Sequence, residues 1–149
     1  MKGCVYSYSE RQLLIYNFIK RVGPSPEPAL EILFGLHTVK ALNRLKKSGY
    51  LRKCEIHEIE FWIVSDYSHF DVPKQETIAW FAARLEEAGG KYKGDYGTSP
   101  KGNQFMIIYS PGCIRIKDEK NRKFVARLED LKRSRLTECL KWEKKFKSS

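Results

Sequence analysis

The longest run of one charge sign in the chain lies between His37 and Lys53, where Lys40, Arg44, Lys46, Lys47, Arg52 and Lys53 occur without an acidic residue. Cations neutralise phosphates and hold register on a polyanion, while arginine and asparagine also give paired hydrogen bonds to guanine or adenine edges. Val39, Leu42 and Leu45 recur at three-residue steps and predict a helical stripe that packs inward. Thr38, Lys40, Ala41, Asn43, Arg44 and Lys47 then turn outward in varying degree. The candidate DNA contacts are therefore Thr38, Lys40, Ala41, Asn43, Arg44, Lys46 and Lys47, followed by Arg52 and Lys53 on the next element. Glu55, Glu58 and Glu60 would repel phosphate, and the expected use of Glu58 and Glu60 is pairing with Lys53 or Arg52 across a hairpin.

Other chemistries have less to stand on. Cys4, Cys54, Cys113 and Cys139 are scattered and contain no C-x-x-C pair, so neither a disulfide framework nor a zinc knuckle is expected. Cys54 and His57 have a ligand-like spacing with His69 beyond, but three scattered donors in a strand-rich stretch do not make a metal site. A nuclease of the restriction-endonuclease-like kind needs a carboxylate on one strand and Glu-x-Lys on the next to hold Mg²⁺. Here Asp95 is followed by Arg115-Ile116-Lys117, with arginine where glutamate is required, and Glu76 and Asp118 as the remaining carboxylates. Gly97 to Gly102 lacks the spacing of a phosphate-binding loop and reads as a hairpin loop. No catalytic set, cofactor or small-molecule ligand is expected.

The elements that must carry the basic run follow from pattern. Ser9-Glu10-Arg11-Gln12 has the form of a capping box, and Leu14, Ile15, Phe18, Ile19 and Val22 form the apolar stripe of a helix that Gly23-Pro24 stops. Tyr6 and Tyr8, ahead of it, are expected to pack on the hairpin. Pro28 suits a first helical turn, and Ala29, Leu30, Ile32 and Leu33 make a short second helix ending at Phe34-Gly35. Thr38 caps the third helix and Gly49 follows its last turn. Tyr50 to Cys54 and Glu58 to Val64 read as a hairpin turning near Glu55 to His57, with Ile59, Phe61 and Ile63 alternating inward.

Helix, short helix, tight turn, basic helix, glycine and hairpin is the order of a winged helix-turn-helix. The passage from Thr38 to Leu51, with Leu42 and Leu45 before Lys46-Lys47-Ser48-Gly49-Tyr50, resembles the recognition-helix-to-wing segment of many prokaryotic winged-helix regulators. That resemblance, which covers about half the chain, implies a small DNA-binding regulator of a prokaryotic, archaeal or viral genome. Its basic helix would lie in the major groove of double-stranded DNA.

A junction is expected near residues 66 to 70, dividing a winged-helix domain (1–68) from a second unit (69–149). Asp71 caps a helix with Pro73 in its first turn and Ile78, Phe81, Ala82 and Leu85 on its apolar face. Tyr92 to Tyr96, Gln104 to Ser110 and Cys113 to Lys117 read as three strands. Phe124, Leu128, Leu131, Arg135, Cys139, Trp142 and Phe146 then fall at three- and four-residue steps and predict one long basic helix, suited to forming a homodimer or a second contact. The fold class is α+β: a winged helix followed by a helix–three-strand–helix unit with a long C-terminal helix.

Charge agrees with a polyanion partner. Lys and Arg number 28 against 18 Asp and Glu, a formal net charge of +10. Residues 1–70 hold ten basic and seven acidic side chains, and residues 71–149 hold eighteen and eleven, so both halves share the excess. No apolar run reaches the length of a membrane span and no signal pattern opens the chain, so a cytoplasmic protein is expected. Two further readings differ in class: a DNA-processing protein with an inactive or active nuclease-like second domain, and a winged helix that docks protein through its acidic hairpin.

Overall fold

A computed structural model describes residues 8–65 and 69–142 of the chain, with side chains from residue 10 onward. The first half contains α1 (Tyr8–Val22), β1 (Ser25–Pro26), α2 (Glu27–Phe34), α3 (Thr38–Lys47), β2 (Leu51–Ile56) and β3 (Ile59–Val64). Ile15, Phe18, Ile19 and Val22 of α1 are buried as their spacing requires, but Leu14 is exposed. Ser9 and Tyr8 lie outside the described side chains, and Tyr6 outside the described residues. The proline-rich run after α1 is a two-residue strand that pairs antiparallel with β3, Ser25 against Trp62 and Pro26 against Phe61, giving a sheet of order β1-β3-β2.

The hairpin turns on His57 and Glu58, both at positive φ, the geometry that suits the right-handed twist of a two-residue connection. It is buried on both faces, not one. Leu51 and Trp62 join the main core, whereas Phe61 and Ile63 join a second cluster with Val72, packed by Cys54, Ile56, Ile59 and Phe70. Alternation alone placed Ile59, Phe61 and Ile63 on the core side; the segment through Phe70 and Val72 covers that face separately, freeing Trp62 for the core.

The second half opens with α4 (Val72–Glu87), capped by Asp71, whose carboxylate accepts from the Lys74 N–H at 3.3 Å. An antiparallel meander follows: β4 (Lys91–Tyr92), β5 (Tyr96–Thr98), β6 (Gln104–Ser110), β7 (Cys113–Asp118), β8 (Lys123–Arg127) and β9 (Lys141–Trp142), paired in chain order as six strands. Between β8 and β9 lie two single-turn helices, α5 (Leu128–Leu131) and α6 (Leu136–Cys139).

The expected three strands and long helix are thus corrected. The stretch from Lys123 to Arg127 obeys period two, with Phe124 and Ala126 on the helix side of the sheet and Lys123, Val125 and Arg127 on the other. Leu131, Leu136 and Cys139 do pack inward, but from two short turns separated by a break at extended Arg135. The helical spacing from Phe124 to Trp142 was coincidental, and the available edge of β7 decided the outcome, since an apolar strand edge left open is costly. The long helix that suggested a dimerisation seam is not formed over the described residues, and Phe146, its last expected position, lies outside them.

One continuous core runs through both halves. α4 packs against α1, α2 and β1 on one side and against β4, β6, β7, α5 and α6 on the other. Its Phe81 is fully buried. Phe81→Ala is expected to cost about 3–5 kcal/mol. Amide hydrogen exchange should show α1 and the β6–β7 ladder losing protection together; loss confined to one half would show two independent cores.

The β7–β8 turn supplies a pH test. Desolvation pushes the Asp118 carboxyl up. Hydrogen bonds from the Arg122 backbone, the Arg122 side chain at 2.8 Å and the Lys120 backbone, together with the Arg122 charge, outweigh it and hold the group below its ordinary value. The stability this contributes is complete above the ordinary carboxylate range near pH 4 and is lost as pH falls through the lowered folded value. Asp118→Asn should flatten that part of the acid limb in thermal melts between about pH 2 and 5.

Candidate nucleic-acid interface

α2 and α3 are joined by Gly35, Leu36 and His37, in which Gly35 and His37 both take positive φ. Thr38 does not cap α3; its hydroxyl donates back to the Gly35 carbonyl and the side chain is buried. Arg11 of α1 fixes the same turn from below, its guanidinium donating to the Phe34 carbonyl at 2.7 Å and the Leu36 carbonyl at 3.3 Å. At the far end Gly49 adopts φ 87, and Ser65 Oγ donates to its carbonyl at 2.6 Å, locking the exit into the hairpin.

The buried side of α3 is Thr38, Ala41, Leu42 and Leu45. Two of the expected contacts, Thr38 and Ala41, are therefore corrected: both face the core. Val39, expected inside, is 40% exposed. The reason is steric and lies in the spacing. Positions 38, 41, 42 and 45 form a fuller i, i+3, i+4, i+7 stripe than 39, 42 and 45, and small side chains at 38 and 41 let α3 approach its neighbours closely.

The outward face consequently carries Val39, Lys40, Asn43, Arg44, Lys46 and Lys47, all exposed. Arg44, Lys46 and Lys47 fall in the last turn, where they also complement the helix dipole. Leu36, just before α3, is among the most exposed large apolar side chains described, so with Val39 it gives this face an apolar end.

Arg52 and Lys53 are exposed but point to opposite faces of the hairpin. Arg52 Nε donates to the Ser65 carbonyl at 3.2 Å. Lys53 lies 5.0 Å over the Trp62 ring and 3.7 Å from Glu60, the cross-hairpin pairing that the sequence leads one to expect. Glu55 stands directly opposite Glu60. Together with Glu58, Glu27 and Glu76 they line a groove between the hairpin and α4. The acidic side of the hairpin thus borders this groove.

Of the carboxylates of the nuclease reading, two are held in ion pairs. Asp95 is exposed in the β4–β5 turn, Glu76 pairs with Lys132 at 2.8 Å, and Asp118 holds its own turn. Among the described residues, no group of three His, Cys, Asp or Glu side chains is placed to hold a metal ion. Cys54 and Cys113 are half-buried. Cys139 is buried, with Sγ 3.1 Å and 3.2 Å from the Asp130 and Ser134 carbonyl oxygens, and burial pushes its thiol up. No described helix is long and apolar enough to cross a membrane.

No protein-family model, curated protein or solved structure matches the chain. The phase of α3 is testable by stability alone. Ala41→Leu should overpack the core and cost about 1–3 kcal/mol, whereas Val39→Ala should stay within about 0.5 kcal/mol. Chemical denaturation of the two variants measures both, and the reverse ranking would restore the stripe at 39, 42 and 45.

Proposed function

We propose that this chain is a sequence-specific double-stranded DNA-binding protein of winged helix-turn-helix type that acts as a regulator by occupying its site. The observation that carries the proposal is the outward face of α3: four cations and Asn43 on one helix side, with no acidic residue anywhere between His37 and Lys53. The order α1, β1, α2, α3 and hairpin, with the short β1 closing the sheet beside β3, supports the winged-helix reading.

On this reading α3 enters the major groove. Lys46 and Lys47, near its carboxyl end, take phosphates and set register. Lys40, Asn43 and Arg44 lie one turn apart on the outward side, where Arg44 suits guanine O6 and N7 and Asn43 suits adenine N6 and N7. Val39 supplies the apolar contact that a thymine methyl needs, a role absent from the sequence-derived set. The wing contributes little, because Lys53 is engaged by Glu60 and the acidic groove repels phosphate.

Fluorescence anisotropy of a labelled random duplex at two salt concentrations tests this, comparing the intact protein with Lys40→Ala/Arg44→Ala. Binding should weaken steeply with salt, and the double variant should reduce the slope of log K against log salt by about 2. Salt-insensitive binding, or an unchanged slope in the variant, would overturn the assignment to α3.

A further inference from the structure

The six-stranded sheet has two faces of different character. On one, Phe105, Ile114, Ile116 and Ala126 are buried under α4, α5 and α6. The other is uncovered among the described residues, and its composition is set by the alternate positions of the same strands. Lys91, Arg115, Lys117, Lys123, Arg127 and Lys141 occupy it, and no outward position of β4 to β9 is acidic. Beside these cations stand Tyr96, Met106 and Ile108, exposed by 41%, 52% and 45%.

The register places these groups in rows. Tyr96 lies against Met106, Met106 against Lys117 and Lys117 against Lys123. Two residues along, about 7 Å away, Ile108 lies against Arg115, Arg115 against Val125 and Val125 against Lys141. The apolar side chains thus gather on β5 and β6 while all of these cations but Lys91, at the β4 edge, gather on β7, β8 and β9. Each row runs from an apolar group to a cation over roughly 5 Å per strand.

We propose that this sheet face binds single-stranded nucleic acid, with bases over Tyr96, Met106 and Ile108 and the phosphate backbone along Arg115, Lys117, Lys123 and Arg127. A strand lying parallel to β6 and β7 offers one base and one phosphate to each row. The single sign of the charge at the outward strand positions selects a polyanion, with Asp118 and Glu119 entering only where the β7–β8 turn meets Tyr96, Met106 and Lys117. The adjoining apolar half selects a polyanion that also exposes apolar faces, as an unpaired base does and a duplex does not. A duplex laid on a flat sheet would set hydrated phosphates against Met106 and Ile108. The surface is independent of α3, from which the α4 layer separates it, so either assignment can stand without the other.

The probe is a fluorescein-labelled twelve-nucleotide strand of mixed sequence, as DNA and as RNA, titrated by anisotropy, with the matching duplex and phosphatidylserine vesicles as competitors. Salt-dependent binding is expected, unchanged in Lys40→Ala/Arg44→Ala. Tyr96→Ala/Ile108→Ala should weaken it at least about fivefold, and Lys117→Gln/Lys123→Gln should lower its salt slope by about 1.4, using the single-strand coefficient. Tyr96, Ile108 and Lys123 are exposed and Lys117 is half-buried, and circular dichroism checks that the variants fold. Photocrosslinking of a 4-thiothymidine strand should label peptides of β5 and β6. The proposal is overturned if the Tyr96/Ile108 variant binds the strand like the parent, if duplex or vesicles displace the strand as well as the strand itself does, or if crosslinks map to α3 alone.

Discussion

A helix that is apolar on nearly every side must be covered on every side, and α4 sets that condition for the whole chain. Ala79, Trp80, Phe81, Ala82, Ala83 and Leu85 are all buried in it, so neither the first sheet with its helices nor the meander alone can cover it. Burial in turn requires that its polar groups find partners inside. Gln75 donates through Nε2 to the Val22 and Pro24 carbonyls, each at 3.0 Å, and Arg84 donates through Nε to the Leu131 carbonyl at 2.6 Å. The first pair of bonds falls where α1 ends, and Gly23 at φ 108 leaves the space that the Gln75 amide fills. That junction directs Ser25 and Pro26 onto β3, which starts α2 in its place and so fixes the turn from which α3 is presented. A contact on α4 therefore controls the aim of a helix it does not touch at its outward face.

Charge is sorted around this frame. Cations line α3 and the uncovered sheet face, while Glu27, Glu55, Glu58, Glu60 and Glu76 collect in the groove between hairpin and α4. At physiological ionic strength fields decay over about 8 Å, so the basic surfaces act on a partner separately from the acidic groove. The net charge of +10 understates both extremes. Arg21 shows the opposite use of charge, bridging α1 to Glu86 at 2.7 Å and to the Tyr92 carbonyl at 2.8 Å, where it helps bind the halves and not a ligand.

Most of the first half was legible because its signals are local. Proline at 28, glycine at 35 and 49, and apolar steps of three and four fix helix limits without knowledge of what packs where. The phase of α3 is set not by Val39, Leu42 and Leu45 but by the longer stripe that includes the small Thr38 and Ala41. The number of large apolar residues mattered less than how close the helix must come. The same blindness to packing hid the second face of the hairpin, whose cover, Phe70 and Val72, comes from beyond the expected domain boundary. For α4, Asp71 and Pro73 announced the start, but no local pattern marks the polar Gln75 and Arg84 as buried.

The C-terminal stretch carries the largest consequence of a period misread. On one continuous helix, Lys123, Arg127 and Lys141 would be spread at 100° per residue around an axis, serving a general positive surface. On strands, period two sends them to one side, and pairing with β7 adds Arg115 and Lys117 to the same side. Secondary structure thus decides not only where these cations lie but whether they act together. Phe124 and Ala126 settle the matter energetically, because their alternation turns both toward α5 and α6, Ala126 fully buried and Phe124 partly so, while a helix would turn one of them away. Two inward side chains on β8 therefore organise a row of outward charges, and what the sheet face can bind follows from how its other face is packed.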